Sequence, residues 1–583
     1  MIAGIVVLGV AVRAAHLATV YPTPAFSLQH TWSNTDMNLF DQWAQRIVQG
    51  DFLGRQTYHP LVNWMLATAP ADTWNQWFGT APVFLKAPLY AYLIALLRWL
   101  FGDPLLAMAL LQILASTACA VLIFLITQRL FDTTAGVAAG LLFAVYAPAI
   151  HYDVVLLRGP WILLTGLVLT WQLVGFRDRP TAARSCGMGA ITGLALLVNE
   201  GFLPLPMVVL TLVGWWIRDV RRVVVLGGWF LLGLVAVLTP LIARNVLVGV
   251  PPLSVAVTGS YALAMCNAAD ADPLFFRGPA ASFVPLMQQS GGKMGRLTWL
   301  CLQSFHGLDD FLLFYLRRAV GLVVPFENPD NVNFYYATLK SPLLRWLPTY
   351  AFLLPLAVVG MWMGRGSFAA LGSLLPVGLA TIGSMMMTLP MSRYRVALAA
   401  LLCPFAGVTI AQAIRWLRTR RLAALGAAAA GLVALGITAA QLERHVMFRN
   451  IDPRVGYYRL MDFRAVAQGY IGQQRFREAS EEYLQLAQLT PVPSIRTQAW
   501  LTAAQLQVRA GDAPAARRSL QAVSGLPVND AATLISIGDV WQALGDARNA
   551  LAAYRRAEAL RPVGPLGAQL RDRLARFPAA PRS

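Results

Sequence analysis

Apolar runs of helical length, separated by short polar or basic turns, fill residues 1–441 of the chain, and beyond that point the runs stop. Ile2 to Val20, Leu105 to Leu130, Ala135 to Ile150, Trp161 to Phe176, Cys186 to Val198, Phe202 to Ile217, Val223 to Leu241, Leu347 to Met363, Phe368 to Met387, Val396 to Ile414 and Leu422 to Ala440 each read as a crossing of a bilayer core of roughly 30 Å. About eleven membrane spans follow. Leu89 to Phe101 is shorter and flanked by charge, so it reads as a helix lying at the interface. The first run has no basic leader and no cleavage site and predicts an uncleaved span, and because it is apolar from Met1 a start further upstream is also open. Arg13 inside it either snorkels to the interface or faces the bundle interior.

Two long polar intervals interrupt the spans, residues 21–104 and 242–345. Arginines gather in three other turns, at Arg177, Arg179 and Arg184, at Arg218, Arg221 and Arg222, and at Arg415, Arg418, Arg420 and Arg421. Alternation puts these three turns on one face, and positive charge marks it as the cytoplasmic one. Both long intervals, the HYDVVLLRGP turn and the SRYR turn then share the opposite face.

Within the first interval, Leu39, Phe40, Trp43, Ala44, Ile47 and Val48 recur at helical spacing, with Gln42, Gln45 and Arg46 opposite. Thr35 or Asn34 caps this helix and Gly50 ends it. Asp36 falls in its first turn, where the helix dipole alone would account for a carboxylate. Lys86 precedes Pro88, which opens another helix, so this cation sits where the dipole disfavours it and where an anion such as phosphate would suit it. Arg393 and Arg395 of SRYR break the charge trend on the outer face. They read either as interfacial anchors or as a grip on a phosphate or anionic headgroup, and the same two readings apply to Arg244.

Composition agrees with the pattern. Of 583 residues, 57% are hydrophobic and only 13% charged, which excludes an ordinary soluble protein. The net charge of +19 sits in topogenic clusters between spans, so nucleic acid is not an expected partner. Five cysteines show no CxxC pair and no metal-ligand spacing. Cys119, Cys186 and Cys403 read as packing residues, whereas Cys266 and Cys301 share the second long interval and leave a disulfide open.

The arrangement D-x-x-x-F-x-x-W-A from Asp36, followed by K-A-P-L-Y-x-Y from Lys86, resembles the opening of the GT-C glycosyltransferases of the protein mannosyltransferase and aminoarabinose transferase type. That resemblance implies Asp36 as catalytic base and Lys86 as ligand of a polyprenyl-phosphate sugar, with Arg393, Arg395 and Arg244 as further phosphate-binding candidates. IARNVLVG after Pro240 and FENPDNVNFYY before the next span also resemble segments of this group. They bring in Glu327 and Asn331 as loop residues that would meet acceptor or donor, together with Asn267 of CNAADAD. Asp270 and Asp272 in that stretch could form a metal-binding DxD, although a solvated turn is the simpler reading. His306, Asp309 and Asp310 read as loop surface. Where many relatives carry an acidic residue after the third span, this chain has Arg158 and Gly159, and Asp153 is the candidate substitute.

From about Arg444 the chain changes character. Tyr470, Ala479, Tyr483 and Pro491, then Ala550, Tyr554, Ala557 and Pro562, match the tetratricopeptide pattern, and the turns Gly511-Asp512 and Gly545-Asp546 recur at the period of one such repeat, about 34 residues. The expected architecture is all-α: a polytopic GT-C membrane domain over 1–441 and a repeat solenoid over 455–575. The expected function is transfer of a monosaccharide from a polyprenyl-phosphate donor to an acceptor hydroxyl with inversion. The acceptor is a protein, lipid or glycan that the repeats would recruit. The expected location is a bacterial inner membrane, with site and repeats outside the cytoplasm. No cofactor or metal is compelled, and a divalent cation stays open. Two rivals are a lipid-linked sugar transporter, which predicts inverted repeats with broken spans, and an inactive scaffold built around the repeats.

Overall fold

In the computed structural model, residues 1–79, 81–364, 368–449 and 451–577 are described, and all regular structure among them is helical. The chain forms two compact units: Met1–Tyr21 with Gln29–Arg449, and Pro22–Leu28 with Asn450–Ser583.

Among the described residues of the first unit, eight helices are long and apolar enough to cross a membrane: Ile2–Val20, Leu105–Leu130, Gly159–Asp178, Glu200–Ile217, Val220–Leu247, Leu343–Met363, Ser392–Arg418 and Leu422–Met447. The chain is therefore an integral membrane protein. Leu89–Phe101, Thr133–Ala144, Ala182–Val198 and Gly372–Met387 are apolar but shorter. The run expected as one span from Ala135 to Ile150 is two helices, Thr133–Ala144 and Ala147–Tyr152. Pro148 is the reason: it has no N–H to continue the first helix and suits the first turn of a new one. The freed amide of Ala147 donates instead to the Pro348 carbonyl at 2.9 Å.

Small residues let these helices approach backbone to backbone. A Cβ added at Gly189 would lie 1.8 Å from the Phe230 carbonyl oxygen, and one at Gly233 would lie 2.0 Å from that of Cys186. Such close faces are how apolar helices associate when lipid is as apolar as they are. Arg13 faces the interior. Its guanidinium pairs with Asp153 at 2.6 Å and donates to the Ala144 and Gly9 carbonyls and to Ser116 Oγ.

Residues 242–345, expected as a soluble excursion, fold into several helices. In Leu308–Val323 the residues Leu308, Leu312 and Leu316, one turn apart, are 71%, 56% and 62% exposed, an apolar stripe suited to a bilayer interface rather than to water. The disulfide left open between Cys266 and Cys301 does not form; both are free and buried on separate helices.

In the second unit, helices pair in sequence as Leu460–Gly472 with Phe476–Leu489, Pro493–Arg509 with Ala513–Ser524, and Ala531–Ala543 with Ala547–Ala559, followed by Gly564–Leu574. The two Gly-Asp turns make the hairpins physically. Gly511 and Gly545 adopt φ of +76° and +74°, open to glycine, and Asp512 and Asp546 then cap the next helix by accepting the amides of Ala515 and Asn549. Tyr554 packs against Gly538, where a Cβ would lie 2.4 Å from its ring. Pro24 packs on Gly469, which is how Pro22–Leu28 joins this unit.

Candidate functional site

Asp36 begins the helix Asp36–Val48, capped by Thr35, whose hydroxyl accepts the Asn38 amide at 3.3 Å. Phe40, Trp43, Ala44 and Ile47 bury one face of that helix. Its start is fixed a second time by Asn331, whose Oδ1 accepts the Asp36 amide at 3.0 Å and whose Nδ2 donates to the Asp36 carboxylate at 3.3 Å.

Two cations close on the same carboxylate. Lys86 Nζ lies 2.8 Å from Oδ1 and Arg393 Nη1 lies 2.6 Å from Oδ2. Arg393 also reaches Asp330 and the Tyr394 hydroxyl, each at 2.7 Å. Burial alone would push the Asp36 carboxyl up; Lys86 and Arg393 outweigh it and hold the group well below the usual carboxylate range. Beside them, Arg158 forms a two-pronged pair with Glu200 at 2.5 and 2.8 Å, and Glu200 also accepts the amide of Ala87, next to Lys86.

Lys86 stands just before the helix Leu89–Phe101, Arg158 at the start of Gly159–Asp178 and Arg393 in the first turn of Ser392–Arg418. All three oppose the positive end of a helix dipole. Three helix starts and three cations meeting in one place make an environment for an anion. A cavity of about 250 Å³ opens here, lined by Asp36, Lys86, Arg158, Glu200, Asn331 and Arg393 among others. A narrower chamber adjoins it, with Leu157, Ile162, Leu163, Phe202 and Val396 on its walls.

The remaining sequence candidates stand elsewhere. Arg395 is fully buried, donates to the carbonyls of Val324 and Phe326, pairs with Glu327 at 2.9 Å and lies over Tyr350. Glu327 is engaged by Arg395 and by Ser392, so these two residues hold the loop that delivers Asp330 and Asn331. Arg244 donates to the carbonyls of Leu53, Gly54 and Pro82 and stacks on Phe84, which fixes the strand of loop leading to Lys86. Asn267 accepts from Tyr315 and Arg318 and donates to the Leu263 and Met387 carbonyls. Asp153 borders the narrow chamber, but its carboxylate is turned to Arg13. Asp270 is bound to Ser282, and Asp272 caps its own turn and pairs with Arg277, the arrangement of a structured turn.

Asp330, Tyr394 and Glu200 were not singled out from the sequence. The first two adjoin Asn331 and Arg393, so their positions were within reach. Glu200 carried a signal of its own: it is a lone acid in the short turn between two apolar runs, on the face assigned to Asp36.

The profile of the dolichyl-phosphate-mannose-protein mannosyltransferase family matches residues 85–243, less than half of the chain. No curated protein matches the chain. Among solved structures, the Archaeoglobus fulgidus oligosaccharyltransferase in its apo form is 13% identical with a TM-score of 0.42, covering 84% of this chain, which spans 60% of that protein's length. The same archaeal enzyme in complex with an inhibitory peptide and a dolichol-phosphate aligns at 15% identity and a TM-score of 0.31, over 77% of this chain and 60% of that one. ArnT from Cupriavidus metallidurans bound to undecaprenyl phosphate is 14% identical with a TM-score of 0.37, covering 98% of this chain and 78% of that one. The mannosyltransferase match contains Lys86, Arg158 and Glu200, and leaves Asp36 and Arg393 outside it.

Proposed function

We propose that this protein is a membrane glycosyltransferase of the GT-C type that moves a monosaccharide from a polyprenyl-phosphate donor to an acceptor hydroxyl, inverting the anomeric carbon. The observation that carries the reading is one carboxylate, Asp36, held between Lys86 and Arg393 in a cavity where cation-bearing helix starts converge beside an apolar chamber. A donor of this class has the matching parts: a sugar, an anionic phosphate and an apolar chain. The family match over residues 85–243 supports the same class.

In the reaction the acceptor oxygen bonds to the anomeric carbon as its proton passes to Asp36 and the bond from that carbon to the phosphate oxygen breaks. The electron pair leaves on the phosphate, which gains one negative charge. Lys86 and Arg393 meet that charge. In the free protein both cations lie on Asp36 and depress its basicity. As the phosphate draws on them, the carboxylate becomes a better base, so donor binding and base competence are linked.

Arg395, Glu327, Arg244 and Asn267 serve in this reading as scaffolding, because the hydrogen bonds they make run to backbone carbonyls and to neighbouring side chains outside the Asp36 cluster. The helical hairpins of the second unit match tetratricopeptide repeats in length and turn chemistry. Their role here is to hold the acceptor at raised local concentration.

The test is to incubate purified full-length protein with polyprenyl-phosphate sugars and measure release of polyprenyl phosphate together with a glycosylated product. Transfer by the wild type that is lost in Asp36→Asn supports the reading. Transport of donor across vesicles without any transfer would replace it by the transporter.

A further inference from the structure

Arg158 is the cation that the sequence comparison made awkward, since it stands where an acid was expected. Its place in the fold is informative. Asp36, Arg158, Arg393 and Tyr394 are the residues that line both the polar cavity and the narrow apolar chamber. They mark the seam between the two. A molecule with a sugar on one side and an apolar chain on the other must put its phosphate at that seam, because the phosphate is the covalent joint between them.

The guanidinium is built to take part. Among the described residues, three of its five N–H groups are engaged, two by Glu200 and one by the Val198 carbonyl at 3.1 Å. Nε and one Nη2 hydrogen remain for an anion. The Arg158 and Glu200 side chains are 13% and 23% exposed, so the pair is shielded but reachable. Glu200 does more than neutralise Arg158. Its Oε2 also accepts the Ala87 amide at 3.1 Å, and its Oε1 the Thr258 hydroxyl at 3.4 Å. One carboxylate thereby ties the Arg158 turn, the Lys86 loop and the helix Thr258–Asn267 together.

We infer that Arg158 is a third ligand for the phosphate of the polyprenyl donor, and that Glu200 is the positioning residue that aims Arg158 and the Lys86 loop at it. This rests on the donor class proposed above. The call for further donors follows from the chemistry: transfer leaves the phosphate one charge more negative, Lys86 and Arg393 are shared with Asp36 and Asp330, and Arg158, though paired with Glu200, keeps N–H groups that Glu200 and Val198 do not use.

The experiment measures equilibrium binding of a short-chain polyprenyl monophosphate, with the uncharged polyprenol of the same length as control, to full-length protein in detergent. The wild type is expected to prefer the phosphate. Arg158→Gln is expected to reduce phosphate affinity about tenfold, close to 1.4 kcal/mol, and to leave polyprenol affinity unchanged. Glu200→Gln is expected to reduce the same preference by a smaller factor, whereas a merely structural role would weaken both ligands alike. Removing both partners in Arg158→Gln/Glu200→Gln is expected to keep the tenfold loss; recovery of wild-type preference would show that Arg158 serves only to satisfy Glu200 and would overturn the inference. Should Arg158→Gln alone not fold, the double variant, which leaves no unpaired charge, carries the test: a lowered phosphate preference supports the assignment and a wild-type preference overturns it. A wild type that does not distinguish monophosphate from polyprenol defeats the donor reading itself. A wild type that does, alongside an unaffected Arg158→Gln, defeats the Arg158 assignment alone.

Discussion

Arg393 and Arg395 stand two positions apart in the first turn of one helix, Ser392–Arg418, and the surroundings they reach have opposite physics. Positions i and i+2 on an α-helix are about 200° apart, so the two side chains leave on opposite faces. Arg393 reaches a cavity, where its partners Asp36 and Asp330 keep 16% and 21% of their side chains exposed. Arg395 enters a closed nest with Glu327 and two carbonyls, at 0% and 2% exposure. In the nest, the desolvation of both charges is already committed and nothing can replace the partners without unfolding the loop. In the cavity, an incoming anion can exchange for a carboxylate at small desolvation cost. The same residue type is structural in one place and available for chemistry in the other.

The comparison is tested most severely at Asp36. Asp36→Asn keeps the shape of the side chain and removes the base, and transfer should fall on the order of 10²–10⁴-fold while donor binding persists; near wild-type turnover would reverse the assignment of the cavity. On the closed side, Arg395→Met leaves Glu327 buried and unpaired. It should destabilise the protein by about 3–5 kcal/mol, read as a lowered midpoint of thermal unfolding in detergent, and Arg393→Gln should lower that midpoint far less. If the two substitutions have equal effects on stability, the distinction between exchangeable and committed pairs fails.

Lys86→Ala should weaken binding of the intact donor and of free polyprenyl phosphate by similar factors, roughly tenfold each, because the phosphate is common to both. Affinities that stay at the wild-type level would make Lys86 a counter-ion of Asp36 and nothing more. For the second unit, truncation after Arg449 should spare reaction with a small soluble acceptor and impair reaction with the native one. The cut belongs after Arg449 because Met447 and Phe448 are buried within the first unit, with Phe448 edge-on to Phe326 and tilted against Phe275.

The smallest expected effect is a matter of pH. Asp36 has its folded value depressed by Lys86 and Arg393, so its pairs stabilise the free protein at neutral pH. That contribution is complete above the ordinary carboxylate value of about 4 and is lost as pH falls from there towards the depressed folded value. Asp36→Asn should therefore flatten the acid end of a plot of unfolding midpoint against pH and leave the neutral end parallel to the wild type. Identical acid limbs would mean that the pairs contribute nothing to stability in solution.

Much of the fold was legible in the sequence because it depends on local chemistry and on the bilayer. Apolar runs of spanning length need no tertiary information, and neither do the Thr35 cap, the Pro88 helix start or the Gly-Asp turns of the hairpins. Expectation and structure part where partners distant in sequence take a hand. The single span expected from Ala135 to Ile150 breaks at Pro148, and the Ala147 amide freed there finds its acceptor in the distant Pro348 carbonyl. The apolar stripe of Leu308–Val323 has helical spacing, yet the polar residues around it led the whole interval to be read as soluble.

The sequence by itself determined that the chain lives in a membrane, that Asp36 opens a helix in a loop between apolar segments, and that Lys86 stands where a helix dipole disfavours it. Only the tertiary structure decided which cations share a cavity with Asp36. It brought in Asp330, Arg158 and Glu200, set the sequence candidate Asn331 against Asp36, and turned Arg395, Arg244 and Asn267 towards backbone carbonyls. The physical reason is that a buried charge takes whatever partner the fold places within reach. That partner is set by helix rotation and by contacts tens to hundreds of residues away, which no local pattern encodes.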